Sequence, residues 1–256
     1  MFRLPSLRAA TWRALIATTA LSALFTCRAA LADTAAPTPV HFGEAAALIV
    51  VDVQNCFVEG GTLPVPKGTE VVPVINGLGK LFDNVVITQD WHTPHHVSFA
   101  SSHAGKKPFE TIALPYGQQV LWPDHCVQGT KDAELVKGLD LPQAQVVIRK
   151  GYHEHTDSYS AFLEADHKTP TGLGGYMKER GIRTVYVTGL ATDFCVAWTA
   201  LDARKQGLEV YVVEDATRGI DLNGSVAAAW KALAAAGVKR VQSAEMVGIV
   251  GAKRGI

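Results

Sequence analysis

Apolar runs closed by a single polar or charged residue recur along this chain, with helically spaced segments between them. The first run, AALIVVD over residues 46–52, is continuous and ends in Asp52. That is the pattern of a strand buried on both faces. Similar runs fall at 84–90, 145–150, 183–190, 209–215 and 238–247. Apolar residues at helical intervals predict one helix over 69–82 and another ending at Gly181. Two more are expected over 193–206, stopped by Gly207, and over 225–236, stopped by Gly237. Strands alternating with helices mean βαβ units, so the prediction is α/β with a parallel sheet covered on both faces. Residues 91–132 break the rhythm. They are rich in Pro, Gly and Ser and hold five of the nine histidines. A loop of that length inside a compact domain usually carries function.

With 256 residues and 48% hydrophobic content, the chain suffices for one large core. Its 24 basic and 24 acidic residues balance, which gives no electrostatic footprint for nucleic acid. The N-terminus has another character. Arg3, Arg8 and Arg13 precede an apolar run over 14–25, and ALA at 30–32 supplies a small-residue exit. Together these read as a secretory signal peptide, the run being too short to span a membrane comfortably. The expected organisation is a signal peptide over 1–32, a linker over 33–44 and one domain over 45–256. The expectation is export to a bacterial periplasm with no membrane contact after cleavage; the alternative is an uncleaved N-terminal anchor. Cleavage would leave 20 basic and 24 acidic residues, a net charge of −4, and three cysteines: Cys56, Cys126 and Cys195. An odd count in an oxidising compartment leaves at least one thiol free or paired between chains.

Cys195 follows the run over 183–190 through a Gly-containing turn and opens a helical pattern. Unpaired N–H groups and the helix dipole favour a thiolate at such a place, and the thiolate is the attacking form of cysteine. Asp52 and Lys150 close two other strands, where open α/β sheets carry their sites. Nucleophile, base and cation make a workable set. Taken singly, Asp52 is equally a turn former, Lys150 a solvated strand end and Cys195 core filler. Asp90 and His92, two apart on an extended segment, point the same way and with a distant third ligand suit Zn²⁺, Fe²⁺ or Mn²⁺. The bland alternative is polar surface histidine, the natural reading of His95, His103, His153, His155 and His167. No glycine-rich dinucleotide or phosphate loop follows a strand.

Five motifs then occur in order: LIVVDVQNCF (48–57), TQDWHTPHHVSFA (88–100), LWPDHCVQGT (121–130), RKG with DSYSAF (149–151, 157–162) and TGLATDFCV (188–196). Together they resemble the nicotinamidase/pyrazinamidase branch of the isochorismatase-like cysteine hydrolases. The likeness spans roughly residues 46–247. It implies a three-layer doubly wound sandwich on a mainly parallel six-stranded sheet of Rossmann-like order. It also implies hydrolysis of nicotinamide, and of pyrazinamide, to the acid and ammonia through a cysteine thioester. Asp52, Lys150 and Cys195 would form the catalytic triad, and the N–H groups of Ala191 and Cys195, beside a cis bond at 190–191, the oxyanion hole. One divalent metal ion would sit on Asp90, His92 and His125, with His96 a further ligand in some relatives. Phe57, Trp122 and Tyr159 would wall the pyridine ring. Two departures stand out: Cys56 replaces an acidic residue, and His95 stands where Asn is common. A disulfide between Cys56 and Cys126 is then conceivable, since both flank the site. The rival readings are a sister amide hydrolase on this fold and an exported metal- or ligand-binding protein without catalysis. Oligomeric state is not legible.

Overall fold

A computed structural model describes residues 42–246. The signal peptide, most of the linker and the C-terminal ten residues lie outside the described residues. In chain order the elements are β1 (Phe42–Val51), α1 (Val71–Gly79), β2 (Phe82–Asp90), β3 (Thr111–Leu114), β4 (Gly117–Val120) and β5 (Val146–Lys150). Then follow α2 (Leu173–Glu179), β6 (Thr184–Leu190), α3 (Ala197–Lys205), β7 (Glu209–Arg218), α4 (Ser225–Ala235) and β8 (Lys239–Val241).

Six strands form one sheet in the order β5-β2-β1-β6-β7-β8. Every pairing in it is parallel. The order reverses at β1 and β6, and ligands of open α/β sheets bind at such a switch point. The alternation of β1 explains the three layers. Leu48 and Val50 pack with Val72, Ile75 and Leu78 of α1. Ala47, Ile49 and Val51 pack on the other face with Leu173 and Met177 of α2, Ala200 and Ala203 of α3 and Leu233 of α4. Gly189 is needed where β6 crosses β1. A Cβ there would stand 2.0 Å from the Val51 carbonyl oxygen, and its φ is +103°.

Several boundaries differ from the sequence reading: the helix read over 69–82 ends at Gly79, with Phe82 opening β2, and β7 runs on to Arg218. β1 begins at Phe42, inside the stretch read as linker, because Phe42 stacks on Phe82 at 4.5 Å. The last strand stops at Val241 rather than 247, and residues 243–246 are helical. There the Glu245 carboxylate accepts the Gln242 N–H at 2.8 Å, a cap that ends extended structure. The helix read over 193–206 starts with a wide turn, Thr192–Val196, before α3. The loop over 91–132 contains the hairpin β3–β4, which turns at Pro115 and Tyr116 without the usual Asn-Gly signal.

Candidate active site

The carboxyl ends of β1, β2, β5 and β6 gather the predicted residues. Lys150, fully buried, is the hub. Its Nζ lies 2.8 Å from Asp52 Oδ2, contacts Asp90 Oδ1, and donates to the Ser158 carbonyl at 2.9 Å and to Cys195 Sγ at 3.3 Å. Thr88 Oγ1 donates to Asp52 Oδ1 at 2.5 Å, and Asp52 takes up a left-handed φ of +48° just past β1. The Leu190–Ala191 peptide is cis, as the resemblance implied.

Burial decides the resting protonation of this cluster. It drives Asp52 up, and Asp90 adds to the rise against the pull of Lys150, leaving Asp52 at about 6. Burial also opposes charge on Lys150, but the two carboxylates outweigh it and hold the ammonium well above its usual range. Cys195 is raised well above an ordinary thiol by burial, which Lys150 only partly offsets. Burial thus works against the expected thiolate, while Lys150, shared with two carboxylates, works for it.

Asp90, His92 and His125 are brought together as predicted. Asp90 Oδ2 lies 3.6 Å from His92 Nε2 and 3.8 Å from His125 Nε2. The other ring nitrogens face carbonyl oxygens, Nδ1 of His92 that of Gly151 at 3.0 Å and Nδ1 of His125 that of Pro123 at 2.8 Å. Each Nδ1 must therefore carry its proton, which leaves both Nε2 atoms as the ring positions facing the carboxylate. Ligands about 2.1 Å from a tetrahedral ion are spaced ~3.4 Å apart, so this trio fits a divalent cation. Gly151 makes the room: a Cβ there would stand 2.5 Å from His92 Cε1. Burial and neighbouring His92 hold His125 down at about 4, keeping it neutral as a ligand must be.

His96 is placed differently. Its ring sits 4.3 Å from that of His92, but Nδ1 accepts from the Ser98 N–H and Nε2 faces the Thr156 carbonyl at 3.3 Å. Both nitrogens are thus engaged, and His96 groups with Asp157 rather than with Asp90 and His125.

A small cavity, about 20 Å³, opens on Cys195, Ala191, Asp90 and His125. Phe57, Trp122 and Tyr159 line it as expected, joined by Phe194, Leu63 and Ile220, which the sequence reading missed. Phe194 directly precedes the nucleophile, the one signal that could have found it. Tyr159 is fixed by hydrogen bonds from Trp122 Nε1 at 2.9 Å and Gln119 Nε2 at 3.0 Å. Gln54 was also missed. Its amide donates to the Asp90 and Ala133 carbonyls and accepts the Asp90 N–H at 2.8 Å, pinning the backbone of a metal-ligand candidate.

A buried cysteine, aspartate and lysine meet at the switch point of a parallel α/β sheet, an arrangement suited to hydrolysis by a cysteine nucleophile. A model of the isochorismatase domain matches residues 46–245, and the chain belongs to the isochorismatase family. Within it the chain falls in the nicotinamidase branch. It is 64% identical over 197 residues to the nicotinamidase of Acinetobacter baylyi, covering 77% of this chain and 92% of that protein. The solved nicotinamidase/pyrazinamidase of Acinetobacter baumanii superposes with a TM-score of 0.79 at 61% identity, over 80% of this chain and 99% of the other. The Pyrococcus horikoshii pyrazinamidase in complex with zinc gives 0.64 at 37% identity, over 77% and 99%.

Proposed function

We propose that this chain hydrolyses the carboxamide of nicotinamide, and of pyrazinamide, releasing the acid and ammonia. The carrying observation is a Cys195 sulfur 3.3 Å from Lys150 Nζ, itself 2.8 Å from Asp52, opening on a small aromatic cavity. A single neutral ring with an amide suits those walls. Ammonia release from nicotinamide, compared between wild type and a Cys195→Ala variant, is the direct test.

In the reaction Asp52 takes the Cys195 proton as Sγ attacks the amide carbon. The N–H groups of Ala191 and Cys195 receive the oxygen of the tetrahedral species. Asp52 returns the proton to the departing amine, ammonia leaves, and a thioester remains. Asp52 then takes a proton from water, whose oxygen attacks the thioester; the C–S bond breaks, the carboxylic acid leaves, and Asp52 returns the proton to the Cys195 sulfur. Lys150 keeps Asp52 anionic enough to act, and Phe57, Trp122 and Tyr159 fix the ring plane. Asp90, His92 and His125 would hold one divalent ion, and the zinc complex of the Pyrococcus relative favours zinc over Fe²⁺ or Mn²⁺. When bound, the ion supplies a Lewis-acid centre at the cavity wall that orients the ring.

A base pushed up to about 6 sets the pH dependence. Below that value Asp52 is protonated and cannot accept the thiol proton, so kcat/KM falls with falling pH and levels off above it. A pH profile of nicotinamide hydrolysis checks this, and a flat profile across the same interval contradicts it.

Export is part of the same proposal: the enzyme would deamidate nicotinamide outside the cytoplasm, before uptake. Supporting it are the basic and apolar N-terminal pattern and the Cys56–Cys126 disulfide, a bond of oxidising compartments. Cell fractionation is expected to find the processed chain in the periplasm. Confinement to the cytoplasm would overturn export and leave the hydrolase reading intact.

A further inference from the structure

Cys56 and Cys126 are joined across 70 residues of sequence, and Cys195 is the free thiol among the described residues. Each half of the bridge adjoins a residue of the site. Cys56 precedes Phe57 in a short turn after β1, and Cys126 follows His125. The carbonyl of Cys126 also accepts the His92 N–H at 3.2 Å, so the bridge reaches two of the three metal-ligand candidates. Cys126 has a left-handed φ of +46°, unfavourable for a residue with a Cβ and kept only where neighbours enforce it. Those neighbours are the Asp132 carboxylate, which accepts its N–H at 3.1 Å, the His92 amide and the bridge itself. His125 is also steadied through Nδ1 by Pro123, two residues away on the same loop, and by ring contacts with Phe57, Phe99 and His92.

We propose that the Cys56–Cys126 bridge is a positioning element of the metal centre, and that reducing it loosens His125 and weakens metal binding. The step balances with a dithiol reductant. The S–S bond breaks, two electrons and two protons pass to the cysteine sulfurs, and the dithiol closes to its own disulfide. A bridge that served general stability alone would lower the melting temperature and leave metal affinity unchanged. The inference rests on Asp90, His92 and His125 being the ligands.

The test is zinc titration of the metal-free protein against a chromophoric chelator, at a temperature where circular dichroism shows every sample folded. Samples are oxidised wild type, the Cys56→Ser/Cys126→Ser double variant and the Cys56→Ala variant. Wild type reduced by a dithiol and freed of it under argon provides an arm without any substitution. Zinc is expected to bind oxidised wild type about 10–100-fold more tightly than the unbridged forms, the range for lost support of a ligand. Equal affinity overturns the proposal. So does alkylation of Cys56 and Cys126 together with Cys195 in the denatured, unreduced protein. Oxidised wild type that binds no zinc overturns the ligand assignment instead, and because no substrate is used, a failure to hydrolyse nicotinamide leaves the result readable.

Discussion

Cys195→Ala is expected to lower kcat for ammonia release from nicotinamide by roughly 10⁴–10⁶-fold, the scale seen when a hydrolase loses its nucleophile. The loss is chemical, because among the described residues no other thiol is free: Cys56 and Cys126 are bonded to each other. The aromatic walls survive the change, and Ala fits a buried position without adding volume. Nicotinamide binding by the variant, measured calorimetrically, should therefore stay close to that of wild type. The pairing of lost turnover with kept binding separates catalysis at the sulfur from the rival reading of an exported binding protein. Wild type that binds nicotinamide without releasing ammonia would favour that rival. A variant that still turns over would remove Cys195 from the mechanism.

Lys150→Met is expected to act on stability and activity together. Methionine keeps much of the apolar stem but takes away the ammonium that touches Asp52, Asp90, Ser158 and Cys195. Two buried carboxylates then face each other without their cation, and removing one partner of a buried ion pair costs about 3–5 kcal/mol. Urea unfolding of the metal-free proteins at neutral pH reads this directly. The pH dependence has a definite sign. Asp52 already sits above its unfolded value, and Lys150 is a force holding it down, so the variant's Asp52 rises further. A raised carboxylate contributes stability that is present when protonated and lost as pH climbs through the folded value. The deficit of Lys150→Met should therefore shrink on acidification and deepen toward neutrality. Residual activity should move its acid limb upward for the same reason. A variant as stable as wild type at neutral pH would mean that water reaches the two carboxylates.

The legible part of this fold came from burial pattern. Strands such as 46–52 and 183–190 read correctly because a strand covered on both faces must be apolar throughout. The misreadings occurred where that signal is diluted. β3 and β4 are half exposed and turn through Pro115 and Tyr116, so neither alternation nor turn chemistry announced them. The early end of β8 was hidden because a cap at Gln242 and Glu245 competes with an apolar continuation. Asp52, Lys150, Cys195, Asp90, His92 and His125, which meet in the structure, were singled out because strand ends and motifs mark them. Phe194, Ile220, Leu63 and Gln54 were not, since a wall or a clamp is defined by what it faces.

By its own pattern the sequence determined the alternation of buried strands with helices, and hence a parallel sheet whose carboxyl edge receives Asp52, Asp90, Lys150 and Cys195. Tertiary structure alone decided how those groups share charge. Lys150 lies between two carboxylates rather than serving the sulfur alone, so burial raises the Cys195 thiol and Asp52 is drawn up to about 6. It also decided that His96 turns to Ser98 and Thr156, and that Cys56 and Cys126 meet. The reason is physical: a proton affinity is the sum of desolvation and of every charge within a few ångströms. Those neighbours arrive from strands tens of residues apart, an arrangement that no local pattern along the chain records.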